Sequence, residues 1–199
     1  MSGGNHVGRV GAARRWVLGS IAALLAGAGS SSPAAAGGGE GFAKGQWNFD
    51  FVAAYTTPLE SADQELCAGR FGLHYAVLDG LTAGGELVGD VIQDPSGPEA
   101  GGGGFNLRFR WRLLEFDRLT LFADGAAGAQ YTGVSLPGGG SQFNFQETVG
   151  LGVYVPVVDD ALLLGGVHFQ HVSNARLAGD DNPGYNGVEF YLGVSIPLD

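Results

Sequence analysis

The chain has almost no cysteine and little charge. Cys67 is the single cysteine among 199 residues, so no internal disulfide can form. Asp, Glu, Lys and Arg together make up only 15% of the residues, and no basic block occurs, which argues against nucleic acid as a partner. The net charge is −10, and aromatic residues reach 11%, so the composition is that of a folded, acidic protein and not of a disordered chain.

Long apolar runs are also lacking, apart from one near the N-terminus. Arg9, Arg14 and Arg15 precede the apolar stretch 16–28, and small residues follow it. Thirteen residues are too few to cross a bilayer as a helix, so the pattern predicts a secretory signal peptide over 1–36, cleaved near Ala36. Residues 37–199 then carry 10 − 3 = 7 basic and 20 acidic residues, a net charge of −13.

Hydrophobicity beyond this segment alternates with a period of two and not 3.6. The clearest case is "FNLRFRWRL", residues 105–113, in which apolar side chains alternate with Asn106, Arg108, Arg110 and Arg112. Period-two alternation predicts strands. A soluble sandwich or a lipocalin-like barrel would bury the apolar face, whereas a membrane barrel turns it to lipid and the arginines to a polar lumen.

Alternating segments of this kind recur eight times along the chain. They lie at about 45–56, 65–78, 81–92, 104–114, 118–131, 142–156, 161–173 and 186–198. Short turns alternate with Gly/Pro/Asp-rich connections at 57–64, 93–103, 132–141 and 174–185. The even number of strands and their length predict an all-β fold over 37–199, an eight-stranded antiparallel transmembrane β-barrel. The difference in length between the two sets of connections predicts that the longer ones face outside.

The other face of each predicted strand carries polar and charged residues of both signs. Eight strands enclose room for side chains and no wide pore, so a plugged interior held by ion pairs is expected. The predicted interior comprises Asn48, Asp50, Arg70, His74, Glu86, Asp90, Arg108, Arg110, Arg112, Asp124, Gln146, His168, Gln170 and Glu189.

The seventh strand ends in "HFQHVSNARL", residues 168–177. By parity His168 faces the lumen, whereas His171 and Ser173 share the lipid-facing side. A histidine able to take a serine proton is the minimum for acyl transfer. The alternative is a pair of interfacial polar residues at the barrel rim, and the spacing alone favours neither.

The segment "HVSNARLAGDDNPGYN", residues 171–186, resembles the signature of the lipid A 3-O-deacylase family, with its His-x-Ser-Asn motif and a following Asn-x-Gly element, here Asn182 and Gly184. The resemblance implies an outer-membrane barrel with Ser173 as nucleophile and His171 as base. It also implies Asn174, with neighbouring backbone N–H groups, as a candidate oxyanion hole.

The residue that would orient the histidine departs from the family pattern, because Asn186 stands where the family has a glutamate. Asn186 has the outward parity and could fix the tautomer of His171. Glu147 has the same parity and lies opposite His171 if Val155 pairs with Leu163. Glu189 is the third candidate, although its parity favours an ion pair in the lumen.

The leading interpretation is a serine esterase in the cell outer membrane that cuts an ester-linked acyl chain from lipopolysaccharide. The alternative is a non-catalytic structural or adhesion barrel on the same scaffold, while the crowded, charged lumen argues against a pore. The mechanism requires no metal or cofactor. Outer-membrane lipid and lipopolysaccharide are the expected partners. The sequence is compatible with either a monomer or a homodimer.

Overall fold

The computed structural model describes residues 42–59, 64–95, 97–158, 161–177 and 183–198. The signal peptide predicted over 1–36 and Asn182 of the Asn-x-Gly element lie outside these residues. Within the described ranges, no helix is long and apolar enough to cross a membrane.

Eight antiparallel strands close into one barrel in chain order, confirming the predicted fold class. Their bounds are β1 Trp47–Pro58, β2 Glu65–Leu78, β3 Leu81–Gln93, β4 Ala100–Phe116, β5 Leu119–Leu136, β6 Ser141–Val158, β7 Ala161–Ser173 and β8 Tyr185–Leu198. β1 pairs with β8 over its whole length, from Trp47 to Pro58, so the sheet has no free edge in the membrane.

Three strands are longer than the alternation predicted, β6 by a few residues and β4 and β5 at the ends described next. β4 begins at Ala100 and not near 104, because glycines 101–104 continue the ladder with β3 and glycines 102–104 continue it with β5. β5 runs to Leu136, which pairs with Ser141 and reduces the predicted 132–141 connection to a tight turn. Glycine has no side chain to alternate, so the sequence pattern is silent where the backbone pairing continues.

The apolar face of the strands points outward, which confirms the inverted arrangement of a membrane barrel. On β4 the outward side chains are the exposed ones: Phe105, Leu107, Phe109, Trp111 and Leu113 are 46–65% accessible. A soluble protein would not leave such a continuous aromatic surface in water, and hydrocarbon is its natural environment.

The lumen is polar and buried, and all but one of the predicted interior residues lie in it. Arg112 is the exception: it sits half-buried at the rim and pairs with the exposed Glu115 at 2.8 Å. The register of β4 against β5 shifts between Arg112 and Leu114, and this bulge ends the strict alternation on which the prediction relied.

Ion pairs connect the strands across the lumen. Glu189 accepts hydrogen bonds from both terminal nitrogens of Arg70 and contacts His168 Nδ1 at 2.7 Å. His168 Nε2 lies 2.7 Å from Asp124, whose second oxygen accepts from Arg108 at 2.9 Å. Pairing of both signs makes burial of these charges tolerable and fills the interior, as the sequence predicted.

Apolar clusters occupy both ends of the lumen. At the end with the short turns, the buried Phe42 ring meets Tyr154 at a centroid distance of 5.4 Å, and Gly80 donates a backbone hydrogen bond to the carbonyl of Phe42. The cluster at the other end consists of Leu66, Ile92, Leu136, Val172 and Tyr185. The second cluster lies beneath the end of β7, where the candidate site begins.

Candidate active site on the barrel exterior

The last residues of β7 present His171 and Ser173 on the outside of the barrel. Both side chains are half-exposed, whereas Val172 between them is fully buried. His168 points into the lumen and is 1% exposed. The period of two along β7 therefore separates the histidines as predicted, and it sets His171 and Ser173 on the same face as neighbours.

Asn186 on β8 holds the ring of His171. The two residues are directly opposite in the β7–β8 register, and His171 Nδ1 lies 2.8 Å from Asn186 Oδ1. An amide oxygen can only accept, so Nδ1 carries the proton and donates it in this hydrogen bond. In the neutral ring, Nε2 then has the lone pair that a general base needs.

Gly184 leaves space for the imidazole. A Cβ atom built at position 184 would lie 3.0 Å from His171 Cε1, closer than nearly all real contacts of this kind. The glycine of the Asn-x-Gly element thus has a packing reason: any side chain there would push against the ring that Asn186 orients.

Glu147 on β6 flanks His171 from the other side. It is directly opposite His171 in the β6–β7 register, as the predicted pairing of Val155 with Leu163 required. The side chain is exposed, and no hydrogen bond or ion pair joins it to another residue in the described part of the chain. His171 consequently stands between an amide on one strand and a carboxylate on the next.

Glu189, the third candidate to orient His171, faces the lumen. It is fully buried, and its carboxylate bonds Arg70 and His168. It is also opposite His168 in the β7–β8 register. The barrel therefore brings Glu189 to the inner histidine and not to the outer one.

Asn174 follows Ser173 directly and shapes a tight turn. Its side chain is 2% exposed, its Oδ1 accepts a hydrogen bond from the Arg176 backbone N–H at 2.8 Å, and its carbonyl accepts from Leu177 N at 3.0 Å. With Oδ1 used in the turn, the amide Nδ2 is the end of this side chain that can donate.

The site is stiffened from inside the barrel. Val172, between His171 and Ser173, pairs in register with Tyr185, which precedes Asn186, and both are fully buried in the outer apolar cluster. Packing of these alternate residues fixes the strand ends, so the outward residues between them are held in place.

A groove of about 560 Å³ runs over the lipid-facing surface from His171 and Glu147 towards β4. Its floor is β5, where Gly125 and Ala127 point outward, and its walls include Phe109 and Phe169. The alternation along single strands does not predict this groove. The available signal was the outward face of β5, which is unusually small at Ala123, Gly125, Ala127 and Ala129.

Among the described residues, no group of three or more His, Cys, Asp and Glu side chains is arranged to hold a metal ion.

The fold, the exterior groove that ends at His171, and Ser173 on the same strand face define a class: small outer-membrane barrels with a site facing lipid. The family described as lipid A 3-O-deacylase (PagL) matches residues 46–195. The chain therefore belongs to the lipid A 3-O-deacylase family. Membership gives it a hydrolytic, lipid A deacylase-like function, with lipopolysaccharide as the substrate class.

Solved outer-membrane barrels share the fold at low sequence identity. Neisserial surface protein A has a TM-score of 0.57 at 14% identity, covering 77% of this chain and 96% of that one. OprG from Pseudomonas aeruginosa gives 0.53 at 10%, covering 80% and 98%. The outer membrane enzyme PagL gives 0.51 at 21%, covering 75% and 99%. No curated protein matches the sequence significantly. The chain is a protein of the cell outer membrane.

Proposed function

We propose that the chain is a serine esterase that hydrolyses an ester-linked acyl chain of lipopolysaccharide in the outer leaflet. The observation that carries this proposal is the hydrogen bond of 2.8 Å between His171 Nδ1 and Asn186 Oδ1 on the lipid-facing side. A histidine on the lipid face of a barrel needs a reason, and a fixed tautomer with Nε2 as base beside a serine supplies one.

Acyl transfer follows the usual order of bond changes for a serine hydrolase. Ser173 Oγ attacks the ester carbonyl while His171 Nε2 takes the hydroxyl proton, giving a tetrahedral oxyanion. The carbonyl re-forms, the C–O bond to the sugar breaks, and the imidazolium gives the proton to the leaving sugar oxygen, which departs as a hydroxyl. Water, deprotonated by His171, then attacks acyl-Ser173, the fatty acid is released, and the proton passes from His171 to Ser173 Oγ.

The oxyanion would be stabilised by Asn174. Its Nδ2 is the donor end of an amide whose oxygen is used in the turn after β7, and the backbone N–H groups beside Ser173 add further donors. A buried, oriented amide costs little reorganisation when charge develops on the substrate oxygen.

Asn186 and Glu147 divide the work of the family's glutamate. Asn186 orients the ring through Nδ1 but carries no charge, so it cannot offset an imidazolium. Glu147, directly across on β6, supplies the negative charge through space in a surrounding of low dielectric. Both act through His171 and are positioning residues, whereas Glu189 anchors the lumen.

The groove beside His171 is suited to the acyl chain. Apolar walls of Phe109 and Phe169 and a floor without bulky side chains allow a hydrocarbon chain to lie against the barrel while its ester reaches Ser173. This geometry favours lipid esters over small water-soluble ones.

The proposal is tested by expressing the wild type and Ser173→Ala in cells and analysing their lipid A by mass spectrometry. Loss of one hydroxyacyl chain with the wild type only is the expected result. Identical spectra from both, with both proteins folded, would instead favour the alternative of a non-catalytic structural or adhesion barrel, for which Asn186 in place of the family glutamate is the best support.

A further inference from the structure

The end of the barrel that carries the proposed site is acidic by sequence. The connections at this end, 59–64, 94–99, 137–140 and 174–184, contain six acidic residues and one basic residue. The acidic residues are Glu60, Asp63, Asp94, Glu99, Asp180 and Asp181. The basic residue is Arg176, three positions after the proposed nucleophile Ser173.

Every other basic residue of 37–199 is remote from the site or hidden from it. Three arginines, at 70, 108 and 110, are buried in the lumen. Lys44, Arg112 and Arg118 lie at the opposite end, with the short turns. Arg176 is thus the one positive charge that this end of residues 37–199 can present to an anionic lipid.

The backbone of Arg176 is held in a defined position beside Ser173. Ala175 and Arg176 have φ angles of +50° and +64°, in the left-handed region that non-glycine residues seldom adopt. The bond of 2.8 Å from Arg176 N to Asn174 Oδ1 closes this turn, and the arginine side chain is exposed. The turn therefore fixes the backbone of Arg176 relative to Asn174, the residue proposed for the oxyanion hole.

We propose that Arg176 binds a phosphate group on the glucosamine headgroup of the lipid whose ester is cleaved. This inference rests on the proposed function. A planar guanidinium matches a phosphate with two parallel hydrogen bonds, and a lysine ammonium does not reproduce that geometry. Arg176 is then a specificity-determining residue: an acidic barrel end would repel a phosphorylated lipid, and the single attractive charge holds its headgroup next to Ser173.

The test compares Arg176→Gln and Arg176→Lys with the wild type on lipid A bearing its phosphates and on the same lipid after phosphatase treatment. In detergent micelles at low salt, the ratio of kcat/KM for the phosphorylated over the dephosphorylated lipid should fall about tenfold in Arg176→Gln, mainly through KM. The ratio for Arg176→Lys should lie between those of the wild type and Arg176→Gln. Arg118→Gln, which removes one exposed arginine at the opposite end, should keep the wild-type ratio.

An unchanged ratio in Arg176→Gln would overturn the assignment while leaving the esterase intact. If the wild type cleaves neither lipid, the proposed function fails and the phosphate site is judged by binding alone. Micelles of phosphorylated lipid A should then bind Arg176→Gln about tenfold more weakly than the wild type. Equal binding of these two proteins in that measurement would reject the site as well.

Discussion

At the scale of residues, His171 has an amide neighbour on one side and a carboxylate on the other. Asn186 contacts Nδ1 at 2.8 Å, and Glu147 faces His171 in the β6–β7 register without a partner in the described part of the chain. In the family pattern one glutamate both orients the histidine and compensates its charge. Here we assign orientation to Asn186 and charge compensation to Glu147, so the two effects can be measured separately by mutating one residue at a time.

We expect Glu147→Gln to lower kcat about tenfold, equivalent to about 1.4 kcal/mol of transition-state stabilisation, because the imidazolium loses its counter-charge. Adding Asn186→Glu to Glu147→Gln should restore most of the lost kcat, since a carboxylate then stands beside His171 on β8. Asn186→Glu alone, in the wild-type background, should raise kcat by a smaller factor. Initial rates on micellar lipid A measure all four proteins of this cycle.

Glu65→Gln is the control for the cycle, because Glu65 begins β2 at the same end of the barrel but away from β7. It should leave kcat unchanged. Equal rates for Glu147→Gln and the wild type would remove Glu147 from the mechanism, and Asn186 would then act alone.

At the scale of elements, β5 is the unusual strand. Its outward residues near the site are small, and they form the floor of the groove between larger side chains of β4, β6 and β7. Small residues alone give the lipid face of a barrel strand no advantage, because lipid tails pack against any apolar surface. We therefore expect the recess at this position to hold the acyl chain of the substrate.

Ala127→Leu should fill the groove and shorten the preferred acyl chain. Displacing two methylene groups, at about 0.8 kcal/mol each, should lower the ratio of kcat/KM for long over short acyl chains about tenfold. A series of esters of increasing chain length measures this ratio. Ala83→Leu, the same change in another exterior groove near Trp47 and Phe71, should keep the wild-type chain-length profile.

If Ala127→Leu keeps the wild-type chain-length preference, the acyl chain does not lie in this groove.

Strand parity explains why so much of the site was predictable from sequence. Alternation separated His168 from His171, and the short turn after β6 fixed the register that brings Glu147 opposite His171. The groove, the bulge at Arg112 and the docking of Phe42 were not predictable in this way. They depend on side-chain sizes compared across three or four strands, or on a segment without periodicity, and no single-strand pattern encodes them.

At the scale of the whole molecule, the buried ion pairs join distant strands. Arg70 on β2 pairs with Glu189 on β8, and Arg110 on β4 pairs with Asp50 on β1, so the network spans the lumen. His168, three positions before His171, contacts both Glu189 and Asp124. The network therefore also fixes β7 and β8 against each other at the level just below the site.

Glu189→Ala should destabilise the barrel by about 3–5 kcal/mol, because the buried guanidinium of Arg70 loses the carboxylate to which it donates its hydrogen bonds. Urea titration of the protein in lipid vesicles measures the free energy of unfolding. Glu115→Ala breaks the exposed pair with Arg112 at the rim and should cost about 0–1 kcal/mol. Similar losses from both variants would mean that the lumen network contributes no more than a surface ion pair.

The position of His171 between two strands has a consequence for how such enzymes diverge. A residue on a barrel strand always has two lateral neighbours, one on each adjoining strand, and either can supply the same partner atom. The acidic partner of a catalytic histidine can then pass from one neighbour to the other over evolutionary time while histidine and serine stay fixed. Loss of an acidic residue at one aligned position therefore does not by itself indicate lost activity. Activity is expected to be lost only when the strand on the other side of the histidine also lacks an acidic residue at the paired position.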